Sequence, residues 1–164
     1  MTRHMLTLPI GRGCVDVQTA GAFAALADAG DLYPGFEAWY WDTVVSGLGR
    51  DRAIFVEWIS EKIAGVVIAK RTFEERKLCT VWVDEHLRNR GVASRLIDRS
   101  CSWLETNSPM LTIPSERLGE FTGILKSRQF RQTQVLDAYY RPGSREHVFN
   151  GRLPLIPQVH ASVA

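Results

Sequence analysis

The segment 77–105, "KLCTVWVDEHLRNRGVASRLIDRSCSWLE", changes its period once, at a glycine. Ahead of the glycine, "KLCTVWVD" is nearly continuous apolar sequence, the pattern of a short strand covered on both faces. Behind it, Ala93, Leu96, Ile97, Ser100, Cys101 and Leu104 recur at threes and fours, while Arg95, Asp98, Arg99, Ser102 and Glu105 fall off that stripe. This is a strand, a tight loop and an amphipathic helix. The loop carries Arg88 and Arg90, and Arg95 follows within a turn of Gly91. A helix N-terminus presents unpaired N–H groups and a partial positive charge, and a diphosphate presents acceptor oxygens and negative charge. The two match where the backbone can come close, and Gly91 has no Cβ to prevent it.

The surrounding pattern limits how this unit is housed. "HMLTLP" predicts a short first strand. From Asp16 a helix is expected, with Val17, Ala20, Ala24 and Ala27 inward and Gly30 as its stop. A second helix is expected over "DLYPGFEAWYWDTVVSGLGR", with Phe36, Trp39, Tyr40, Val44 and Leu48 on one face. "RAIFVEWIS" and "IAGVVIAKR", split by the polar "SEK", predict a β-hairpin. "MLTI" predicts a short strand, and Ser115 a cap for a helix bearing Leu118, Phe121 and Leu125 on its buried side. "QTQVLDAYYR" and "REHVFNG" predict two strands joined through "PGS". Strands and helices interleaved in this order give an α+β (mixed α/β) fold with a central, mostly antiparallel sheet of six to seven strands flanked by about four helices. Residues 1–150 form one domain, and 151–164 form a tail with no period that lies on the surface or is loose.

Composition excludes several function classes. The chain has 164 residues with a formal net charge of +2, which gives nucleic acid or an acidic membrane little to hold. Cys14, Cys79 and Cys101 are odd in number and have no metal-like spacing, so neither a disulfide framework nor a metal site is expected. No run approaches the ~20 apolar residues of a membrane span. A cytoplasmic protein, with a homodimer allowed, is the default.

The loop fits neither the GxxxxGK[ST] nor the three-glycine dinucleotide pattern. What remains, Arg88-x-x-Gly91-x-Ala93 after a valine-rich strand, resembles the acetyl-coenzyme A motif of the GNAT superfamily of N-acetyltransferases, [QR]-x-x-G-x-[GA]. The likeness extends from about residue 4 to 150 in the order of elements, and "FTGILKSRQF" resembles the later helix that runs into a Gly-Phe pair. The resemblance implies acetyl-CoA as the cosubstrate. It implies that Arg88 and the backbone amides of Asn89, Arg90, Gly91, Val92, Ala93 and Ser94 grip the pyrophosphate. It also implies that Val81 and Val83 offer backbone groups to the pantetheine arm, in a gap opened where their strand splays from "MLTI". Arg90 and Arg95 add charge nearby, or Arg95 is a solvated surface residue.

The implied reaction is direct attack by a primary amine, from a small molecule or a peptide, in a ternary complex. It needs a group to take the ammonium proton, a donor for the oxyanion and a proton for the departing thiolate. Here the sequence departs from the family. Leu125 occupies the position of the usual tyrosine, Gln129 that of the glycine, and "KLCTVWV" has no carboxylate. Tyr139, Tyr140 and Ser115 are the remaining proton-donor candidates, against packing for the tyrosines and capping for the serine. Glu57 in "FVEWI" is the candidate base, against a solvent-facing role. These departures leave a non-catalytic acyl-CoA-binding or sensing module as the alternative.

Overall fold

The computed structural model describes residues 5–6 and 15–155. Met5–Leu6 (β1) pairs antiparallel with Val15–Asp16 (β2); the rest of the expected first strand lies outside the described residues. Asp16 then starts helix α1 (Val17–Ala25), its Oδ1 accepting the Thr19 N–H at 2.9 Å. The face that α1 buries is Thr19, Ala22 and Leu26, not the expected Val17, Ala20, Ala24 and Ala27. Alanine spacing misleads because alanines contribute little buried area; the bulkier Phe23 and Leu26, and a hydrogen bond from the Tyr40 hydroxyl to the Thr19 carbonyl at 2.7 Å, set the rotation. Gly30 does not stop this helix. It lies inside the short α2 (Ala29–Leu32).

Helix α3 (Phe36–Ala38) runs into a π-helical stretch, Trp39–Val44, and a 3-10 turn, Val45–Gly47. The wider π turn brings Trp41 inward beside Tyr40 and Val44, whereas Leu48, expected on that face, is 36% exposed.

The expected hairpin is β3 (Arg52–Ile59) and β4 (Lys62–Arg71). Ser60 and Glu61 close it with φ of 48° and 65°, the two positive values of a two-residue type I′ turn. Then follow β5 (Arg76–Val83), α4 (Val92–Leu104), β6 (Met110–Pro114), α5 (Leu118–Ser127), β7 (Gln132–Asp137) and β8 (Arg145–Phe149). The main sheet has the order β3-β4-β5-β6-β8-β7, and every neighbouring pair is antiparallel except β5–β6.

Helices cover both faces. On one, Val92, Leu96, Ile97, Cys101 and Leu104 of α4 and Phe121 of α5 pack on Val67, Leu78, Val81 and Ile113. On the other, Ala22, Leu26, Phe36, Tyr40 and Val44 pack on Val56, Val66 and Ile68. A fully buried side chain of this size contributes roughly 1.5–3 kcal/mol. The α4 stripe follows the predicted period, starting one residue early at Val92. It sits tightly on β4 because Gly65 has no side chain; a Cβ there would lie 2.8 Å from both Leu96 Cδ1 and Val92 Cγ1. This contact holds the start of α4 against the sheet.

Two expectations about the end of the chain change. Tyr139 and Tyr140 are not on a strand. Ala138, at φ 53°, ends β7, and both tyrosines sit in the connection to β8 with their rings 4.8 Å apart. Alternation therefore does not send them to opposite faces. The tail is anchored over its described part, 151–155, since Leu153 is buried and Gln134 clamps its backbone with bonds of 2.7 and 3.2 Å; 156–164 lie outside the described residues.

Candidate active site

The site begins as a failure of strand pairing. β5 and β6 meet only at Lys77↔Met110 and Leu78↔Leu111. Past that point β5 carries one extra residue: Ala69 of β4 faces Leu78 and Ile68 faces Thr80, which leaves Cys79 as a bulge. A bulge bends and twists its strand, and β5 turns away from β6. The result is an open cleft of about 820 Å³ including its mouth. Cys79–Trp82 form one wall and Leu111–Pro114 the other; Leu26, Tyr33 and Phe36 close one side, Phe121 another, and Arg88 and Arg117 stand at the rim. Along the open edge, the backbone groups of Thr80–Val83 have no ladder partner on β6.

The same strand ends in the glycine loop. Asp84 caps the turn Glu85–Leu87, accepting the His86 N–H at 2.9 Å. Asn89 and Gly91 then take φ of 61° and 75°, and α4 starts at Val92. Gly91 is the N-cap and offers no side chain to the helix. The first-turn amides therefore have neither an intrahelical acceptor nor a side-chain cap, and they point out of a 13-residue helix.

Three of the arginines around this loop, Arg88, Arg95 and Arg99, are held by glutamates. Arg95 lies beneath Gly91, its Nε donating to Glu57 Oε1 at 2.8 Å and its Nη1 to the Arg90 carbonyl at 3.2 Å. Arg99 Nη1 stands 3.5 Å from the other Glu57 oxygen. Arg88 Nη2 is 3.4 Å from Glu120 of α5, which also holds Arg117 at 3.0 Å. Arg90 is exposed and has no ion pair among the described residues.

The model of the acetyltransferase (GNAT) family matches residues 22–113, which span the hairpin, the bulged strand, the glycine loop, α4 and β6. The chain belongs to the GNAT acetyltransferase family. Solved structures agree on the fold. A GNAT-family protein from Desulfovibrio desulfuricans superposes with a TM-score of 0.65 at 13% identity, covering 90% of this chain and 96% of that one. The ribosomal-protein-S18-alanine N-acetyltransferase of Escherichia coli gives 0.61 at 14% identity, covering 90% and 92%. An aminoglycoside 6'-N-acetyltransferase, solved with coenzyme A, gives 0.59 at 9% identity, covering 83% and 92%. No curated protein matches the sequence.

Within this GNAT fold the residues named from sequence fall into two groups. Arg88 and Val81 line the cleft, and Asn89, Arg90, Gly91, Val92, Ala93 and Ser94 form the loop and first helical turn above it. The Val92 side chain is buried beneath that turn, Val83 packs against the same core, and the Ser94 hydroxyl and carbonyl each accept from Arg128 at 3.0 Å. The proposed proton-transfer residues are scattered. Glu57 is on β3, two strands from the cleft, joined to Arg95 and Arg99. Ser115 caps nothing; its Oγ lies 2.9 Å from His147 Nε2, and His147 Nδ1 lies 2.9 Å from Gln132 Oε1. Tyr140 accepts a hydrogen bond from the buried Lys77 Nζ at 3.3 Å, and Tyr139 packs beside it.

Sequence reasoning missed a polar group beside the cleft. Glu146 of β8 is 3% exposed. The Tyr33 hydroxyl donates to its Oε1 at 3.4 Å, and the Thr112 side chain is near enough to the same carboxylate to lower its proton affinity. Tyr33 and Thr112 both line the cleft. Burial raises the Glu146 carboxyl to about 7, against the opposing pull of Thr112, Lys77, Tyr33 and Arg141. Burial, then the Glu146 and Tyr140 charges, push the Tyr33 phenol well above its usual range. Burial also raises the Cys79 thiol, so the bulge residue stays protonated and is a poor nucleophile. The available signal for Glu146 was its place in "REHVF", where alternation with exposed Arg145 puts it on an inward position.

Proposed function

We propose that this acetyltransferase moves the acetyl group of acetyl-CoA to a primary amine, on a small molecule or a peptide, by direct attack in a ternary complex in the cytoplasm. One observation carries the reading: the unpaired edge of β5 leads, through one short turn, into an uncapped helix N-terminus opened by Gly91. An extended amide-bearing arm ending in a diphosphate needs such a sequence of groups, backbone donors and acceptors first, then a cluster of N–H groups with positive charge. The residues fit that ligand. Thr80–Val83 would bind the arm, the amides of Asn89–Ser94 would bind the phosphates, and Arg88 at the rim would add charge. When bound, acetyl-CoA supplies an activated acyl group.

Glu57 contributes indirectly. By holding Arg95 under Gly91 it fixes the loop and adds no proton chemistry in the cleft. Amines are what the two named relatives modify, the alanine of a ribosomal protein and an aminoglycoside. The described cysteines are free thiols, as suits a reducing compartment.

Calorimetry with acetyl-CoA, compared with S-acetylpantetheine, tests the phosphate cradle; the reading requires that loss of the phosphates weakens binding strongly. Release of free thiol with tyramine, spermidine, kanamycin and an alanine-terminated peptide tests transfer. Tight binding with no thiol release from any of them would replace the transferase by a sensing module.

A further inference from the structure

The family match ends at Ile113, and the strongest unexplained feature of the molecule lies beyond it. Glu146 is the buried carboxylate of β8, on the register position opposite Pro114 of β6. No arginine or lysine closes on it as an ion pair among the described residues, although Lys77 of β5 and Arg141 of the β7–β8 connection are near enough to lower its proton affinity. Arg141 is instead paired with Glu116, and Lys77 with the Tyr140 hydroxyl. A carboxylate left in this state is costly unless protonation is part of its use. The hydroxyl that donates to it is that of Tyr33, Thr112 lies close by, and both residues belong to the cleft wall. Tyr33 is half-buried, and its ring is 5.5 Å from that of Tyr140, edge-on.

We propose that Glu146, acting through the Tyr33 hydroxyl, takes the proton that the acceptor's ammonium group must lose before it attacks. The inference rests on the amine-acetylation reading and assigns that site its proton acceptor. An ammonium nitrogen has no lone pair. One of its protons passes to the Tyr33 oxygen while Tyr33's own proton moves to Glu146. The freed lone pair forms the C–N bond to the thioester carbonyl carbon. The C–S bond breaks with its electron pair on sulfur, and the nitrogen's second proton ends on that thiolate. The products are an amide and a free thiol, and Glu146 returns its proton to water. Tyr33 suits a relay because it stays neutral across the working pH range and both gives and takes a hydrogen bond. Tyr33 at the end of α2, Thr112 of β6, Lys77 of β5 and Arg141 of the β7–β8 connection face the carboxylate, and Tyr140 and Arg117 face Tyr33, so all are part of the titrating environment.

Glu146→Gln and Tyr33→Phe test the assignment. With acetyl-CoA affinity unchanged by calorimetry, Glu146→Gln is expected to lose on the order of 100-fold in kcat near neutrality, the usual size of a general-base contribution. The rate should recover as pH rises toward the amine's own pKa. Tyr33→Phe, which breaks the relay to that carboxylate, should lose about as much, on the order of 100-fold, and flatten the same limb of the profile. In the ligand-free protein, carbon-detected NMR should find one glutamate carboxyl titrating at about 7, absent from Glu146→Gln. This readout needs no acceptor and does not depend on turnover. A carboxyl titrating in the ordinary range, or a Glu146→Gln enzyme with native rate and native pH profile, overturns the inference and leaves the transferase intact. Failure of the native protein to bind acetyl-CoA, or to release thiol with any amine, overturns the transferase reading and takes the inference with it.

Discussion

The two ends of the cleft are built in opposite ways. At the end proposed to hold the phosphates, the groups are backbone amides, exposed, contiguous in sequence and set by one glycine turn. At the end proposed to receive the acceptor, the groups are side chains, buried, and drawn from positions as far apart as Tyr33 and Glu146, 113 residues. Backbone can be specified locally, because a turn and a helix start need only neighbours. A buried carboxylate cannot. It needs three elements to arrive together and hydroxyls to meet it. A general cofactor end and a particular acceptor end are what such a difference supports.

The sharpest way to break the comparison is at the glycine. Gly91→Asp puts a Cβ into a backbone at φ 75°, 2.9 Å from Arg95 Nη1, and sets a negative charge where phosphates would bind. A left-handed non-glycine residue costs about 1–2 kcal/mol, and lost amide contacts add about 1–3 kcal/mol each. Acetyl-CoA affinity should fall roughly 1000-fold, about 4 kcal/mol. Calorimetry that shows native affinity would place the diphosphate elsewhere and dissolve the distinction between the two ends.

The buried end is tested by pH. The Glu146 carboxyl moves from 4.5, its ordinary value, to about 7 in the folded protein. Between those two values the native state holds a proton that the unfolded chain has released, so stability falls as pH rises through this window. The loss is complete above about 7 and amounts to something on the order of 3 kcal/mol. Glu146→Gln has no such term. Its thermal midpoint should match the native one near pH 4 and exceed it near pH 8. A native midpoint no more pH-sensitive than the variant's would mean that Glu146 is not buried unpaired.

The same contrast explains what the sequence made legible. The stripe of α4, the hairpin and the glycine loop each follow from a period or a turn residue within about a dozen positions, whereas the sheet order, with β8 inserted between β6 and β7, does not follow from the succession of strands. What sequence alone misplaced was decided at long range. The rotation of α1 is set by Tyr40 reaching Thr19. Trp41 turns inward through a π turn that no propensity marks. Tyr139 and Tyr140 leave the strand because a single alanine, Ala138, adopts a left-handed conformation. Glu146 was visible only as an inward position in a five-residue strand, too short for its alternation to stand out.

A milder test separates charge from backbone within the phosphate end. Arg88 is at the rim, 41% exposed in its side chain and shared with Glu120. Arg88→Ala should weaken acetyl-CoA binding about tenfold, or 1.4 kcal/mol, and make it less sensitive to salt. Stability should change by less than about 0.5 kcal/mol, because the pair is solvent-screened and Glu120 keeps Arg117. A loss as large as that for Gly91→Asp would make side-chain charge, and not amides, the main grip.

The smallest expected effect lies at Ser115, an exposed constellation with the order of a nucleophile, a base and an orienting group. If the Gln132 oxygen faces His147 Nδ1, that nitrogen must carry the proton, and Nε2 then accepts from the Ser115 hydroxyl. Such a geometry can activate a hydroxyl, but it also ties the start of the α5 turn to β8 and β7 with two ordinary hydrogen bonds. Ser115 is not among the cleft-lining residues. The second role predicts that Ser115→Ala costs about 1 kcal/mol in stability and leaves kcat and its pH profile as they were. Denaturant titration and thiol release measure the two quantities on one preparation. A kcat reduced by orders of magnitude at unchanged stability would move the chemistry to the α5 side of β6 and leave the buried carboxylate without a task.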